Sequence, residues 1–300
     1  MELITVFTPT YNRKELLKRC YQCLIDQTSY NFKWLIIDDG STDNTGEEVK
    51  KWIASETRFK IDYVYKENGG LYTTYNTAIP LMDTELCICY ESDDIFPSDG
   101  IAIIEKHWPE LQDPAYVGLM TMCKDMDGKY VGKTFPNGVK SMFLHERFLR
   151  YDCSGDKMYV YKTDVFKKVA PMPEFQGEKN FNPLYLMYKA DAYGELLVSN
   201  EVLCICDYQP GGMTDTVLWQ YYNSPNSFAE WRKQHMLFPN APKMYVYKEN
   251  IHYVSSCSLA GKLSKAVKES PKKVYTVLAF IPGVILSVWI RYKNMDNKNK

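Results

Sequence analysis

The sequence has almost no net charge and lacks the two commonest glycine motifs that bind phosphate. Its 300 residues include 36 basic and 37 acidic side chains, which gives a formal net charge of -1. A nucleic-acid-binding protein usually carries a basic excess, so we expect no nucleic-acid partner. Neither a G-x-x-x-x-G-K-[ST] loop nor a G-x-G-x-x-G turn occurs. These absences exclude a P-loop and a dinucleotide fingerprint.

The nine cysteines do not follow the pattern of a secreted or zinc-ribbon protein. Four of them alternate with apolar residues, as small buried side chains do on strands: Cys87, Cys89, Cys204 and Cys206. Cys20 and Cys23 have the spacing of a metal or redox pair, but no second pair completes a site. We interpret them as core residues of a helix. No basic stretch followed by an apolar run opens the sequence, so we expect no signal peptide and a cytoplasmic protein.

Short apolar runs alternate with helical patterns along the first hundred residues. The runs predict strands over 3–8, 33–37, 61–65 and 85–90, and helical spacing lies between them at 14–26, 45–55 and 72–81. This alternation predicts an α/β fold with a mostly parallel central sheet. Beyond residue 94 we expect helices near 100–107, 225–237 and 251–267 and further strands near 116–123, 157–161 and 195–206.

Polar residues follow three of these strands, at 9–12, 38–39 and 91–94. Ligands of parallel sheets bind at the carboxyl ends of strands, so these clusters predict one site. Asp39 can accept from a nucleobase N–H or a ribose hydroxyl, although it can also cap the next helix. Glu91, Asp93 and Asp94 offer the hard oxygens that Mg²⁺ and Mn²⁺ prefer. A surface acidic turn is the alternative for this cluster.

These clusters resemble the successive motifs of family 2 glycosyltransferases. The matching stretches are 8–13 (TPTYNR), 37–43 (IDDGSTD), 67–70 (ENGG) leading to 75–78 (YNTA), and 91–94 (ESDD). Later stretches at 155–157, 160–163 and 175–179 resemble a bacterial subgroup associated with capsule, exopolysaccharide and cell-wall glycans. In that subgroup 208–214 (YQPGGMT) is the closing motif. The resemblance covers most of the chain and is weak after residue 214.

The resemblance implies a GT-A fold, a Rossmann-like architecture with a helical C-terminal extension. It also implies inverting transfer from a nucleotide-sugar donor, commonly a UDP-sugar, to a saccharide acceptor. The residues that would bind the donor are Thr10, Tyr11, Asp39, Asn68, Gly69, Glu91 and Asp93. Asp94 would bind a divalent cation, Mn²⁺ or Mg²⁺. Glu91 departs from the aspartate that more often begins this motif.

The resemblance places the catalytic base in the acceptor half of the chain. Glu178, in the sequence Gly-Glu-Lys, stands at the favoured position, although the usual second acidic residue after it is missing. Asp191 is the second candidate. Asp156 is expected on the acceptor side, where it would orient the acceptor or support the base. The alternative for Glu178 is a structural role at a helix start, paired with Lys179.

The uncharged run at 274–290 lies between Lys272-Lys273 and Arg291. A straight helix of this length spans about 25 Å, less than a hydrocarbon core of about 30 Å, and Pro282 should kink it. We interpret the run as an interfacial or re-entrant hairpin on the inner face of the cell membrane rather than a full span, which would bring the enzyme to a lipid-linked saccharide. A buried helix is the alternative.

The predicted domains are 1–212 for catalysis, divided at 94 into donor and acceptor halves, 213–270 as a helical extension, and 271–300 as an apolar segment with a basic polar tail. Two other functions compete with the transferase. A nucleotidyltransferase would need a glycine-rich basic loop after the first strand, where this sequence has Pro-Thr-Tyr-Asn. A non-catalytic glycan- or nucleotide-binding scaffold would share the fold but would not hydrolyse a UDP-sugar.

Overall fold

The computed structural model describes residues 2–209 and 216–298, with side chains up to residue 295. The chain forms two compact units. The first contains Met1–Gly69, Thr73–Pro171 and Leu186–Gln209, and the second contains Gly70–Tyr72, Met172–Tyr185 and Pro210–Lys300. The predicted boundary at residue 212 and most of the closing motif at 208–214 lie outside the described residues. The division into predicted domains therefore stays a prediction.

One sheet of eight strands forms in the described residues of the first unit. The strands are β1 (Ile4–Thr10), β2 (Phe32–Asp38), β3 (Ile61–Tyr65), β4 (Leu86–Cys89), β5 (Tyr116–Asp125), β6 (Ser141–Met142), β7 (Lys157–Lys162) and β8 (Glu195–Cys206). Their order is β3-β2-β1-β4-β7-β5-β8-β6. Strands β1 to β4 pair in parallel, as do β5 and β8, whereas β7 and β6 run antiparallel to their neighbours. The predicted α/β class with a mostly parallel sheet is confirmed.

Thirteen α-helices occur in the described residues. They are α1 (Lys14–Ile25), α2 (Thr45–Ser55), α3 (Leu71–Ala78), α4 (Gly100–Leu111), α5 (Glu146–Leu149), α6 (Thr163–Val169), α7 (Leu184–Ala190), α8 (Val217–Asn223), α9 (Pro225–His235), α10 (Lys243–Leu259), α11 (Ala266–Glu269), α12 (Lys273–Leu278) and α13 (Phe280–Lys298). Helix α10 begins earlier than the sequence pattern indicated. It ends before Gly261, whose φ of 70° is left-handed and closes the helix.

The core of the first unit lies between the sheet and amphipathic helices. Helix α1 buries Leu17, Cys20 and Leu24, which recur at helical spacing on one face. They pack in one cluster with side chains of β1 and β2, including the fully buried Trp34. Cys20 is therefore a core residue, as the sequence indicated. Burial of these strands on both faces explains their continuous apolar runs.

Helices α12 and α13 in the second unit expose apolar side chains and bury polar ones. The exposed residues recur every three or four positions and form the apolar face: Val274, Val277, Leu278, Ile281, Ile285, Val288, Trp289, Tyr292 and Met295. On the opposite side, Thr276 donates to Asn250 and Ser287 donates to Ser258. The segment 274–290 is thus amphipathic in the structure, although it contains no charged residue.

The sequence predicts a kink at Pro282, but the helix is interrupted three residues earlier. The helical break lies at Ala279, between α12 and α13. Pro282 falls in the first turn of α13, where a missing N–H removes no bond from the helix. In the part of the chain that the structure describes, every helix is too short or too polar to cross a membrane.

Candidate active site

Three neighbouring strands bring the predicted polar clusters to one edge of the sheet. Strands β2, β1 and β4 are parallel and adjacent, with Thr10 opposite Asp38 and Phe7 opposite Cys89. The ladder continues past the strand ends, because the Asp39 amide donates to the Thr10 carbonyl at 2.8 Å. Register and direction therefore assemble the site from stretches far apart in sequence.

Asp39 is the centre of a buried hydrogen-bond network with Lys66, Asn68 and Gly69, here called the Asp39 pocket. One carboxylate oxygen accepts from Lys66 Nζ at 2.6 Å and from the Gly69 amide at 2.9 Å. Asn68 Nδ2 donates to the Asp39 carbonyl at 2.8 Å. Three predicted donor-site residues, Asp39, Asn68 and Gly69, thus lie in contact. Lys66 was missed, because a lysine before the ENGG stretch has no distinguishing pattern.

The loops after β1 and β2 are bonded to each other. The Asn12 amide donates to Ser41 Oγ at 2.8 Å, and the Thr42 amide donates to Asn12 Oδ1 at 2.7 Å. Gly40 has a φ of 89°, and a Cβ there would lie 2.9 Å from the Asn68 nitrogen. This turn therefore needs glycine both for its conformation and for the close approach. The result is a preorganised rim for the pocket.

Thr10 and Tyr11 present different chemistry at this rim. Thr10 is buried, and among the described residues its hydroxyl has no hydrogen-bond partner. Tyr11 is 48% exposed, so about half of its side chain is open to solvent or to a ligand. An unpartnered buried hydroxyl beside an open aromatic ring suits a ligand that combines polar groups with a flat base.

Glu91, Asp93 and Asp94 form a carboxylate cluster directly after β4. Arg13 makes an ion pair with one oxygen of Asp93 at 3.0 Å. The other Asp93 oxygen and the Ser92 hydroxyl are buried and have no partner among the described residues. Their free lone pairs, together with clustered negative charge, fit a divalent cation that prefers oxygen ligands.

Burial and mutual repulsion change the acidity of this carboxylate cluster. Burial and the charge of Asp93 raise the pKa of Glu91 to about 7. Burial and the charge of Glu91 raise the pKa of Asp94 to about 8. These carboxylates are therefore poorly compensated by the protein's own groups, and a bound cation would lower both pKa values.

Two arginines missed by the sequence analysis adjoin the cluster. Arg13 ends the TPTYNR motif, and its guanidinium contacts Asp93. Arg19, six residues further along the chain on α1, donates to the Asp93 carbonyl and to Asp207 Oδ2, the latter at 2.6 Å. Residues six apart on a helix do not share a face, so the sequence pattern neither grouped Arg13 with Arg19 nor indicated which strand end they contact.

Asp156 lies on the side of the site close to Glu91. Its side chain is exposed, and Tyr208 donates to Asp156 Oδ2 at 2.5 Å. The charge of Asp156 is one of the lesser causes of the raised Glu91 pKa, after burial and Asp93. Asp156 is thus near enough to Glu91 to affect its ionisation, and its expected role on the acceptor side stays a prediction.

Asp191 is not bonded to the carboxylate cluster in the described part of the chain. One of its oxygens accepts from the Leu144 amide at 2.8 Å. The other accepts from the His145 amide at 3.0 Å and lies 2.8 Å from His145 Nδ1. Asp191 therefore fixes the loop that begins α5.

Glu178 belongs to the second unit and is buried there. Asn226 donates to one carboxylate oxygen from its amide and from its side chain, at 2.9 and 2.7 Å. Ser227 donates to the other oxygen from its amide and its hydroxyl, at 2.8 and 2.7 Å. Glu178 therefore caps the N-terminus of α9, a contact between distant segments that sequence alone did not indicate. Its expected role as base stays a prediction.

Comparison with solved structures confirms the fold. The chain aligns over 99% of its length with S. aureus TarS 1-349 in complex with UDP-GlcNAc, covering 89% of that chain at a TM-score of 0.60 and 17% identity. It also aligns over 95% of its length with the mannosyltransferase PcManGT from Pyrobaculum calidifontis in complex with GDP-Man and Mn²⁺, covering 87% of that chain at a TM-score of 0.57 and 16% identity. The predicted GT-A architecture is therefore confirmed.

Sequence comparison gives the family. The chain is 32% identical to glycosyltransferase GlyA of Streptococcus pneumoniae serotype 4 over 127 residues, which are 42% of the chain and 18% of GlyA. It is 23% identical to the putative colanic acid biosynthesis glycosyl transferase WcaA of Escherichia coli over 248 residues, 81% of the chain and 85% of WcaA. The model of glycosyl transferase family 2 matches residues 5–170. The chain therefore belongs to glycosyl transferase family 2.

Proposed function

We propose that the protein transfers a sugar from a nucleotide-sugar donor to a saccharide acceptor with inversion at the anomeric carbon. One observation carries this proposal. The Asp39 pocket and the cluster of Glu91, Asp93 and Asp94 lie at the same edge of the sheet. The pocket offers acceptors and donors for a nucleobase and ribose. The cluster offers oxygen ligands beside it, where a diphosphate with its cation would bind.

The donor is proposed to be a UDP-sugar. Thr10 and Tyr11 would contact the uracil, and Asp39 would accept from its ring N–H, with Asn68 and Gly69 lining the same pocket. Lys66 donates to the Asp39 carboxylate at 2.6 Å and balances its charge within the pocket. Asp93 would bind the ribose or the diphosphate. TarS with UDP-GlcNAc supports this choice, although PcManGT with GDP-Man has a similar fold.

The cation is proposed to be Mn²⁺ or Mg²⁺, with Asp94 as its ligand. When bound, it supplies the positive charge that offsets the negative charge growing on the departing nucleoside diphosphate. Glu91 and Asp93 would orient Asp94 and complete the negative surroundings. Arg13 balances part of this charge through Asp93 and would approach the diphosphate from the α1 side.

The proton of the acceptor hydroxyl is proposed to pass to a carboxylate of the acceptor half, since inversion needs a base but no covalent intermediate. The hydrogen bonds separate the candidates. Glu178 accepts four hydrogen bonds and must exchange a partner before it receives a proton, whereas Asp191 is bonded at both oxygens to the loop that precedes α5. Asp156 is exposed and adjoins Glu91, so we add it as the most accessible candidate.

The acceptor is proposed to be a lipid-linked saccharide of a bacterial surface polysaccharide, met at the membrane surface. The apolar face of α12 and α13 supports this, because apolar side chains this exposed in a single helical stripe are stabilised when lipid covers them. Lys272 and Lys273 precede the face and would interact with anionic headgroups.

A donor screen tests the transferase proposal. Purified protein is given UDP-, GDP- and dTDP-sugars with Mn²⁺, and nucleoside diphosphate release is followed with and without saccharide acceptors. We expect one donor to be hydrolysed slowly, with loss of release in Asp94→Ala and no loss in Asp164→Ala, an exposed aspartate on α6. Nuclear magnetic resonance of the product then gives its anomeric configuration. Metal-dependent UDP binding without any turnover would instead favour the scaffold function.

Vesicle sedimentation tests the membrane proposal. The variant Ile281→Glu/Ile285→Glu places two charges on the apolar face, and Ile53→Glu provides a matched control on the exposed surface of α2. We expect the double variant to lose at least about tenfold in partitioning to anionic vesicles, because each buried charge opposes insertion. Equal partitioning of all three proteins would refute the role of this face.

A further inference from the structure

Three thiols lie together beside Asp94. Cys123 is in β5, and Cys204 and Cys206 are in β8, the parallel neighbour of β5. Cys123 pairs in register with Cys204, and residues two apart on a strand point to the same face. The three sulfur atoms all lie within 4.8 Å of one another, and none is in a disulfide. Two strands thus bring together residues that their sequence pattern assigned separately to the core.

The spacing of the thiols matches a tetrahedral metal centre. A Zn–S bond is about 2.3 Å, so two thiolates on one tetrahedral ion are separated by about 3.8 Å. The sulfur atoms of Cys204 and Cys206 are 3.7 Å apart. The other two sulfur–sulfur distances are at most 4.8 Å, so the Cys123 sulfur needs to approach the other two by no more than about 1 Å. Little rearrangement is therefore needed to bind one ion.

Asp94 is positioned as a candidate fourth ligand. Ile95 and Ile205 exchange two backbone hydrogen bonds at 2.9 Å, which places Asp94 beside the end of β8 that carries Cys204 and Cys206. Zinc accepts carboxylate oxygen as well as sulfur, and four ligands complete its usual shell. A cation bound by the three sulfur atoms would leave one position of this shell for the Asp94 carboxylate.

We propose that Cys123, Cys204, Cys206 and Asp94 form a site for one thiophilic divalent cation of the Zn²⁺ class, and that occupation of this site withdraws Asp94 from the oxygen-ligated cation. On binding, three metal–sulfur bonds form, each thiol that is protonated releases its proton to solvent, and no electron is transferred. The binding claim is independent of the proposed function. The inhibition that follows from it rests on that function.

Cobalt absorption tests the binding claim on the full chain. Co²⁺ bound to thiolates gives an intense charge-transfer band that hexa-aqua Co²⁺ lacks. We expect one equivalent of Co²⁺ to develop this band in the reduced, metal-free protein, and Zn²⁺ to abolish it by displacement. X-ray absorption of the zinc-loaded wild-type protein should then give three sulfur ligands and one lighter ligand. Absence of the band, or an oxygen-only shell, would overturn the proposal and leave three core cysteines.

Matched cysteine variants locate the site. Cys206→Ser and Cys204→Ser should each lose most of the cobalt band, whereas Cys23→Ser on α1 should keep it, because Cys23 lies outside the thiol cluster. A band that survives both β8 variants places the metal elsewhere and refutes the assignment. If a β8 variant fails to fold, the wild-type absorption experiment decides alone.

Zinc inhibition tests the consequence. The assay contains Mn²⁺ and the nucleotide sugar that the protein was found to hydrolyse. Stoichiometric Zn²⁺ should slow nucleoside diphosphate release by at least about tenfold in the wild-type protein and in Cys23→Ser. Cys206→Ser should show a clearly smaller zinc effect relative to its own zinc-free rate. Hydrolysis that is insensitive to Zn²⁺ while the cobalt band forms refutes the withdrawal of Asp94. A protein that forms the band but hydrolyses no donor refutes the proposed function and leaves the site intact.

Discussion

Replacing Asp94 with asparagine should stabilise the metal-free protein while it removes metal-dependent activity. In the folded protein burial and the charge of Glu91 raise the pKa of Asp94 from an ordinary 3.8 to about 8. The unfolded chain therefore releases this proton at lower pH than the folded protein does. Between about pH 4 and pH 8 the stability of the wild-type protein must fall as pH rises.

The pKa difference sets the size of the effect. Each unit between folded and unfolded states corresponds to about 1.4 kcal/mol, so the upper limit for Asp94 alone is about 5 kcal/mol near pH 8. Asp94 shares its repulsion with Glu91, and water relaxes around the partly exposed cluster. We therefore expect Asp94→Asn to gain about 1 to 2 kcal/mol near pH 8 and close to nothing near pH 5.

Urea unfolding in the presence of a chelator measures this difference. Wild-type protein, Asp94→Asn and the surface control Asp164→Asn are compared near pH 5 and pH 8, and then with Mn²⁺. Mn²⁺ should stabilise the wild-type protein and not Asp94→Asn. An Asp94→Asn protein that is less stable than wild type at both pH values would refute the reasoning. So would a gain in stability that does not change with pH.

Three further outcomes follow from contacts in the two units. Glu178→Gln should lower the free energy of unfolding by about 1 to 3 kcal/mol, because the new amide group would face the hydrogen-bond donors of Ser227. Urea unfolding measures this loss. Activity lost at unchanged stability would indicate a catalytic role for Glu178 instead. Gly40→Ala should weaken UDP binding at least about tenfold by straining the turn against Asn68, measured by calorimetry. Glu249→Gln should cost about 2 to 3 kcal/mol at neutral pH and little near pH 2. Although burial opposes its ionisation, hydrogen bonding and charge from neighbouring residues lower the pKa of Glu249 to about 2, so this stability is lost as pH falls from about 4.5 to 2.

The sequence predicts the donor edge of the site because two regular patterns determine it. Strand runs that alternate with helices indicate parallel strands, and the carboxyl ends of parallel strands share an edge. Asp39 and Asp94 could therefore be assigned to one site before their contacts were known. Neither pattern predicts which groups the long, flexible side chains contact. Lys66 and Arg13 reach Asp39 and Asp93 through rotamers that only packing selects.

The thiol cluster could not be predicted, because the sequence pattern does not give the order of the later strands within the sheet. Cys204 and Cys206 could be assigned to one face of a strand by their spacing. Cys123 joins them because β8 pairs with β5, and β7 lies between β5 and β4. The order of these strands depends on contacts across the whole sheet. The local periodicity of the sequence carries no information about that order.

The same dependence limits the assignment of the catalytic base. A motif can place a carboxylate in the acceptor half, but a base also needs an open lone pair, and a carboxylate has about four acceptor positions. Glu178 uses all four to bind the start of α9, which a distant stretch of sequence supplies. Asp156 accepts one hydrogen bond from Tyr208, and its other oxygen receives none from the described residues. Proton transfer to Asp156 therefore requires no structural bond to break, whereas transfer to Glu178 must first loosen the cap of a helix.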